Sequence, residues 1–288
     1  MDNRTFLPVK SDIIFRLFYA DERNEEFLIS LLKSILKLPE DDYSEIYIAD
    51  PHLLPEFEGD KMVVIDVKLY TKTRKIIHIE IQLRVTPEAL QKRVILYDAK
   101  LITEQVKSGD DYDLIKKVIS IIITDENFIS ASPGYHHRFT LYDANAEVEF
   151  SDILEVHTLE LRKLPEYADG TELYDWAKFI AAETEEELTM VAERNPVVER
   201  AVVKLRELSA DERARDLFER REKARRDMAA REKWARQEGR QEGRQEGRQE
   251  GALERNIEIA RSMLADAMSP DLISKFTGLA IEDIEALR

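Results

Sequence analysis

Residues 61–85 read KMVVIDVKLYTKTRKIIHIEIQLRV, and two β-strands joined by a short polar turn account for the pattern. Met62 to Tyr70 and Lys75 to Leu83 are rich in Val and Ile, and Thr71-Lys72-Thr73-Arg74 supplies the connection. Successive side chains of a strand point to opposite faces. This places Val63, Ile65, Val67 and Leu69 on one face and Val64, Asp66 and Lys68 on the other. The second strand sorts the same way, with Ile77, Ile79, Ile81 and Leu83 on a buried face and Ile76, His78, Glu80 and Gln82 opposite. Each strand thus has an aliphatic face and a face that turns polar toward its C-terminal half. If the strands pair antiparallel with some offset, Asp66 and Glu80 converge. Alternating charge on a strand also fits a solvated sheet face. Two carboxylates on otherwise apolar neighbours are costly to bury unless something positive satisfies them, and a divalent cation is the usual answer.

On the N-terminal side, Ser11 and Asp12 can cap a helix whose apolar face is Ile14, Phe15 and Phe18. For Asp12, capping preference points to a cap and not a ligand. A second helical segment from Asn24, with Phe27, Leu28, Leu31, Leu32 and Ile35, ends near Leu38-Pro39. Glu45 to Ala49 is a short strand candidate, and a loop with Pro51, Pro55 and Gly59 leads into the hairpin.

On the C-terminal side, Pro87 opens a helix from about Glu88 to Val106 with Leu90, Val94, Tyr97 and Leu101 in one buried stripe. Arg93 and Lys100 share a different face, which could meet phosphates or simply be solvated. Val118 to Thr124, VISIIIT, is the most continuously apolar run and predicts a central strand buried on both faces. Arg138 to Tyr142 and Glu155 to Leu161 add two strand candidates. Adjacent His136 and His137 would point to opposite faces of a strand, which argues against a shared metal site. No HExxH, phosphate-cradling glycine loop or GxSxG elbow occurs. The carboxylate hairpin is therefore the one place with chemistry written into it.

From Thr171 the chain reads as helical, anchored by Trp176, Phe179 and Ile180, with a break at Asn195-Pro196. The predicted division is a domain over residues 1–196, a long charged helix over 197–237, a repeat over 238–251 and a helical hairpin over 252–288. RQEG occurs four times up to Gly251 and holds four of the nine glycines. On a helix its i,i+4 pairs are all alike in charge and each glycine costs about 1 kcal/mol. The repeat thus reads either as a helix that needs a partner, which would make a homo-oligomer, or as a linker.

The four elements together resemble a known family. Asp66, the turn and Ile79-Glu80-Ile81-Gln82 resemble the D…ExQ variant of the PD-(D/E)XK nuclease signature found in the recombination-promoting nuclease (Rpn) and transposase-like group. Pro8-Val9-Lys10-Ser11-Asp12-Ile13-Ile14-Phe15, on to Phe18, is similar to that group's opening K-x-D-x-x-F element. Arg93-x-x-x-Tyr97 and the glycine-rich charged repeat are the third and fourth matches. The resemblance covers nearly the whole chain.

It implies an α/β, restriction-endonuclease-like core, a mixed sheet flanked by helices, with a helical tail. It also implies a DNA endonuclease linked to recombination or mobile elements. Asp66 and Glu80 would ligate Mg²⁺ or Mn²⁺, the Ile81 carbonyl would add a ligand, and Gln82 would orient the attacking water. Gln82 stands where the family more usually has Lys, and it carries no positive charge. Lys68, on the same face as Asp66, could supply that charge or be an ordinary surface residue. Lys10, Arg93, Tyr97 and Lys100 are the expected nucleic-acid contacts, and the resemblance brings Asp12 near the site as an accessory. A non-catalytic DNA-binding or assembly protein of the same fold, and an RNA nuclease, are the competing classes.

Whole-chain properties bound these readings. At 288 residues the chain holds one sizeable core plus an appendage, and 35% charged residues suit long solvated helices. It has no cysteine, no run of apolar residues long enough for a membrane and no basic-then-apolar start, which fits a reducing, cytoplasmic setting. The formal charge of −16 disfavours phosphate binding, but residues 61–107 hold ten Lys and Arg against five Asp and Glu. A local basic patch therefore lies beside the carboxylates.

Overall fold

In a computed structural model of the chain, which describes residues 6–53, 63–83 and 86–287, helices α1 (Asp12–Tyr19) and α2 (Glu25–Ile35) come first. Strand β1 (Ile46–Ala49) follows, then two short strands, β2 (His52–Leu53) and β3 (Val63–Val64), which pair with each other. The hairpin is β4 (Val67–Thr71) and β5 (Ile76–Gln82). Helix α3 (Pro87–Thr103) leads to β6 (Val118–Thr124), β7 (His136–Asp143) and β8 (Val148–Glu160). Met62, Pro55, Gly59 and residues 84–85 lie outside the described residues.

The described residues form a six-stranded mixed sheet in the order β1-β4-β5-β6-β8-β7. β5, β6 and β8 run parallel and the remaining neighbours antiparallel. β6 lies between β5 and β8 and is buried along its whole length, as its unbroken aliphatic run requires. One sheet face, with Leu69, Ile77, Ile79, Ile81, Ile119, Ile121 and Ile123, packs on α1 and α2 and on α4 (Glu172–Ala181), α5 (Glu185–Ala192) and α6 (Pro196–Ala210). Phe15, Phe18, Phe27, Trp176 and Phe179 fill that layer. The other face takes α3, whose Leu90 and Val94 meet Ile122 while Tyr97 and Leu101 meet Ile76 and Val118. The result is a helix–sheet–helix sandwich, the α/β class that the hairpin implies.

The hairpin departs from strict alternation at one point. Val67 and Leu69 join the large core, but Ile65 is buried on the α3 side with Ile76, Tyr97 and Leu101, so it does not share their face. The cause is a bend at Asp66. Pairing of β4 with β5 stops at Val67↔Ile79, and the Ile65 N–H turns away to the Pro51 carbonyl at 2.9 Å. The turn at the other end is built around buried Asp42, which binds Thr71 at 3.1 Å, Lys75 at 2.7 Å and the Thr73 hydroxyl. Arg74 there adopts a left-handed φ of 68°.

The chain divides into two units, residues 1–221 and 222–288. The charged stretch after Pro196 is not one helix: α6 ends at Ala210, and α7 (Glu212–Ala265) starts afresh with Asp211 accepting from the Ala214 N–H at 2.8 Å. α7 continues through all four RQEG repeats, so these residues are helical, and a Cβ added at any of the four glycines would meet nothing. Gln, Glu and Arg are good helix formers, and elongation costs far less than starting a helix. In the second unit the end of α7 packs with α8 (Pro270–Thr277) and α9 (Ile281–Glu285) around Ala260, Ile273, Leu279 and Ile284. Gly278, at φ 72°, makes the sharp turn that splits residues 270–287 into two helices. Among the described residues no helix is long and apolar enough to cross a membrane.

Candidate active site

The bend at Asp66 builds the site. If β4 kept its register, Ile65 would face Ile81. Instead Asp66 turns its carboxylate to that place, and Oδ2 accepts the Ile81 N–H at 2.9 Å. Its other oxygen, Oδ1, accepts from Arg16 of α1 at 3.1 Å. Glu80 sits one residue before Ile81 on β5 and is 1% exposed. Its Oε2 accepts from Arg93 of α3 at 3.1 Å and, weakly, from the Gln82 amide at 3.4 Å. Oε1 is buried with no hydrogen-bond partner among the described residues.

The electrostatics follow from this geometry. Burial raises the Asp66 carboxyl above its usual range, and the Ile81 N–H and Arg16 only partly offset it. For Glu80, burial acts first and the Asp66 carboxylate second, and together they push it up to about 8 despite Arg93. Two carboxylates thus share a dry site with too little positive charge. An orphaned carboxylate oxygen beside a second carboxylate is a donor set that suits a hard cation such as Mg²⁺ or Mn²⁺. Among the described residues there is no ready cluster of three or more His, Asp or Glu, so the protein side chains would fill only part of a coordination shell.

The other sequence-predicted residues divide by position. Arg93 lies over the Tyr97 ring at 5.1 Å and donates from Nε to the Tyr97 hydroxyl at 2.6 Å, so both belong to the carboxylate pair's surroundings. Lys68 does not: its Nζ lies 3.7 Å from Glu104, near the far end of α3, and above the Tyr70 ring. Register explains this, because Lys68 is opposite His78 and not Glu80. Lys10 is bound to Glu183, and Asp12 to Arg221. Asp12 makes no cap across the first turn beyond its own neighbour, the Ile13 N–H at 2.9 Å, and its charge still bears on Asp66. Lys100 is half-buried on α3, one turn beyond Tyr97.

Sequence reasoning missed Arg16. The available signal was its spacing, four residues after Asp12 on the helix that packs against the hairpin. It also missed a buried network of His78, Asp98 and Ser120. His78 Nε2 lies 2.8 Å from Asp98 Oδ1 and 2.6 Å from the Ser120 hydroxyl, which also binds Asp98. Ser, His and Asp do not make a nucleophile here, because Ser120 and Asp98 crowd the same ring nitrogen and all three residues are sealed from solvent. The network ties α3 to β5 and β6 beneath the carboxylates. His136 and His137 point apart as their adjacency requires, His136 to His157 at 2.9 Å and His137 to Glu160 at 3.2 Å.

Residues 9–234 match the PD-(D/E)XK nuclease family transposases, and residues 253–288 match the C-terminal HTH domain of the Rpn/YhgA-like nuclease family. No curated protein and no solved structure matches the chain. The first match spans the carboxylate hairpin and the helices around it. The second spans the end of α7 with α8 and α9, and α9, reading IEDIE, carries exposed Glu282, Asp283 and Glu285.

Proposed function

We propose a reaction from the premise that the chain belongs to the PD-(D/E)XK nuclease family transposases: it hydrolyses DNA phosphodiester bonds with a divalent cation held by Asp66 and Glu80. The observation that carries this reading is the buried carboxylate pair with an unpartnered Glu80 Oε1. Bound there, Mg²⁺ or Mn²⁺ supplies Lewis acidity that activates water and offsets charge on the phosphate. Asp66 and Glu80 fix the cation's place, and the Ile81 carbonyl is a further oxygen at the same point of β5. Gln82, two residues beyond Glu80 on the same face, can both donate to and accept from a water, and so it orients the nucleophile without taking its proton. Burial of the pair excludes bulk water and strengthens each of these interactions.

DNA is favoured over RNA by the C-terminal HTH domain, a fold that places a helix in a duplex major groove. The family name connects the activity to mobile elements. The helical tail with its four glycines joins copies of the chain, and truncation before Arg240 should then lower the mass seen by light scattering. The deciding experiment is cleavage of supercoiled plasmid with Mg²⁺, Mn²⁺ or EDTA, beside Asp66→Asn and Glu80→Gln. EDTA-sensitive nicking that both variants lose is the expected result. Intact plasmid under all conditions, with DNA still bound, would favour the non-catalytic binding protein, and cleavage confined to RNA would move the substrate.

A further inference from the structure

The two carboxylates are each held by one arginine, and the two arginines come from opposite layers. Arg16 reaches Asp66 from α1, and Arg93 reaches Glu80 from α3. Each makes one end-on hydrogen bond at 3.1 Å, not a two-pronged fork. The carboxylates are 7% and 1% exposed at the side chain, while the arginines are 36% and 32% exposed, so the arginine side chains reach solvent where the carboxylates do not. Donors remain to spare: Arg16 Nε is buried with no partner among the described residues. Arg93 is pivoted on the Tyr97 hydroxyl through Nε, and its Nη2, which meets Glu80, can turn about that point.

We infer that Arg16 and Arg93 occupy the cation's place electrostatically in the metal-free protein, and that both guanidinium groups pass to a DNA phosphate when a cation takes over the carboxylates. The inference rests on the proposed nuclease reading and adds Arg16 as a phosphate-binding residue. A cation and a guanidinium compete for the same carboxylate charge. Once displaced, a guanidinium offers a planar pair of donors that matches a phosphate. The same two side chains therefore offset part of the carboxylate charge without metal, and they grip the substrate only when metal is bound.

The competition has an unusual signature: removal of an arginine improves metal binding and harms DNA binding. The test is calorimetric titration of the full chain with Mn²⁺, and separately with a short DNA duplex in Ca²⁺, for wild type, Arg16→Gln, Arg93→Gln and Arg16→Lys. A charge-assisted hydrogen bond lost from the metal-free state corresponds to roughly tenfold tighter Mn²⁺ binding for each Gln variant. DNA should bind about tenfold more weakly to the same two proteins. Arg16→Lys keeps the charge and loses the fork, so its Mn²⁺ affinity should stay near wild type while its DNA affinity falls. Because Arg16→Gln leaves Asp66 buried and unpaired, the double variant Arg16→Gln/Asp66→Asn controls for folding and should recover metal-free stability. Unchanged or weaker Mn²⁺ binding in the Gln variants, with binding still abolished by Asp66→Asn, would overturn the exchange alone. Absence of Mn²⁺ binding to every protein including wild type would overturn the nuclease reading with it.

Discussion

Replacing Glu80 by Gln should change how the metal-free protein's stability depends on pH, and the structure sets both sign and size. Burial first and Asp66 second push the Glu80 carboxyl from its ordinary 4.5 up to about 8. Between those values the folded chain holds a proton that the unfolded chain has released, so stability falls as pH rises. Below about 4.5 both states hold the proton and the group costs nothing; above about 8 the loss is complete. A gap of about 3.5 pH units corresponds to on the order of 5 kcal/mol. That is a large share of the roughly 5–15 kcal/mol that holds an ordinary domain together. The amide introduced by Glu80→Gln keeps the size of the carboxylate, accepts from Arg93, and can donate to Asp66 where a second carboxylate would repel it. The quantity to measure is the difference in urea-unfolding free energy between the two proteins in EDTA, from pH 5 to pH 9, because titrating groups away from the carboxylate pair cancel in it. It should grow by several kcal/mol in favour of Glu80→Gln up to about pH 8 and then level off. Saturating Mg²⁺ should close the gap by stabilising only the wild type. A flat difference across the range would mean that Glu80 ionises as an ordinary surface carboxylate, and the argument for a cation from burial would fail.

Gln82→Ala should lower cleavage without removing Mn²⁺ binding, Gln82→Lys should shift the pH–rate profile downward, and Lys68→Ala should remain active because Lys68 is paired with Glu104; loss of activity in Lys68→Ala beside a wild-type rate in Gln82→Ala would reverse the two assignments. His136 is lowered from 6.5 to about 4 by burial first and by its histidine neighbours next, so the unfolded chain takes up the proton first and stability should drop as pH falls from about 6.5 toward 4. In His136→Gln thermal scans that acid-side loss should shrink, and an unaltered slope would count against a buried neutral ring. Charge reversal of α9 by Glu282→Lys with Asp283→Lys should tighten duplex binding and steepen its salt dependence by roughly one unit of slope per new phosphate contact, as read by fluorescence anisotropy at several salt concentrations; an unchanged slope would place α9 away from the phosphates.

What the sequence made legible, it did through periodicity. The run VISIIIT read as a strand buried on both faces because it is short and rich in β-branched residues, and Leu90, Val94, Tyr97 and Leu101 read as a helix stripe because their spacing follows the helical period. Asp66, Glu80 and Gln82 stood out for a related reason, as polar residues on strands that are otherwise aliphatic. The partners of those residues were not legible. Arg16 reaches Asp66 across 50 residues of chain and Arg93 reaches Glu80 across 13; the motif singles out Arg93 but points it at nucleic acid, and no pattern along the chain joins either arginine to its carboxylate. The helical state of the RQEG repeat was undecided because its composition favours a helix while its glycines and like-charged pairs oppose one. The side of the sheet taken by Ile65 was misread because alternation holds only while a strand is unbroken.

That broken alternation and the carboxylate pair are one feature. A continuous β4 would satisfy the Ile81 N–H with backbone, would carry Ile65 to the large core, and would leave Asp66 on the α3 face as one more buried acid without a donor. The bend gives the Ile81 N–H to the Asp66 carboxylate, which fixes one oxygen and leaves the other for Arg16. Only a short side chain serves there, because the carboxylate must stand where the neighbouring strand's backbone would have been. Glu80, on the unbroken strand, projects from its regular position toward α3 and reaches Arg93. One acid is therefore placed by the failure of the ladder and the other by its regularity, and their meeting point lies at the end of paired strands, where the sheet opens. Buried backbone pairing is costly to interrupt. The protein interrupts the ladder at the spot where two carboxylates meet, and it does so without orphaning either N–H: Ile65 donates to the Pro51 carbonyl and Ile81 to Asp66.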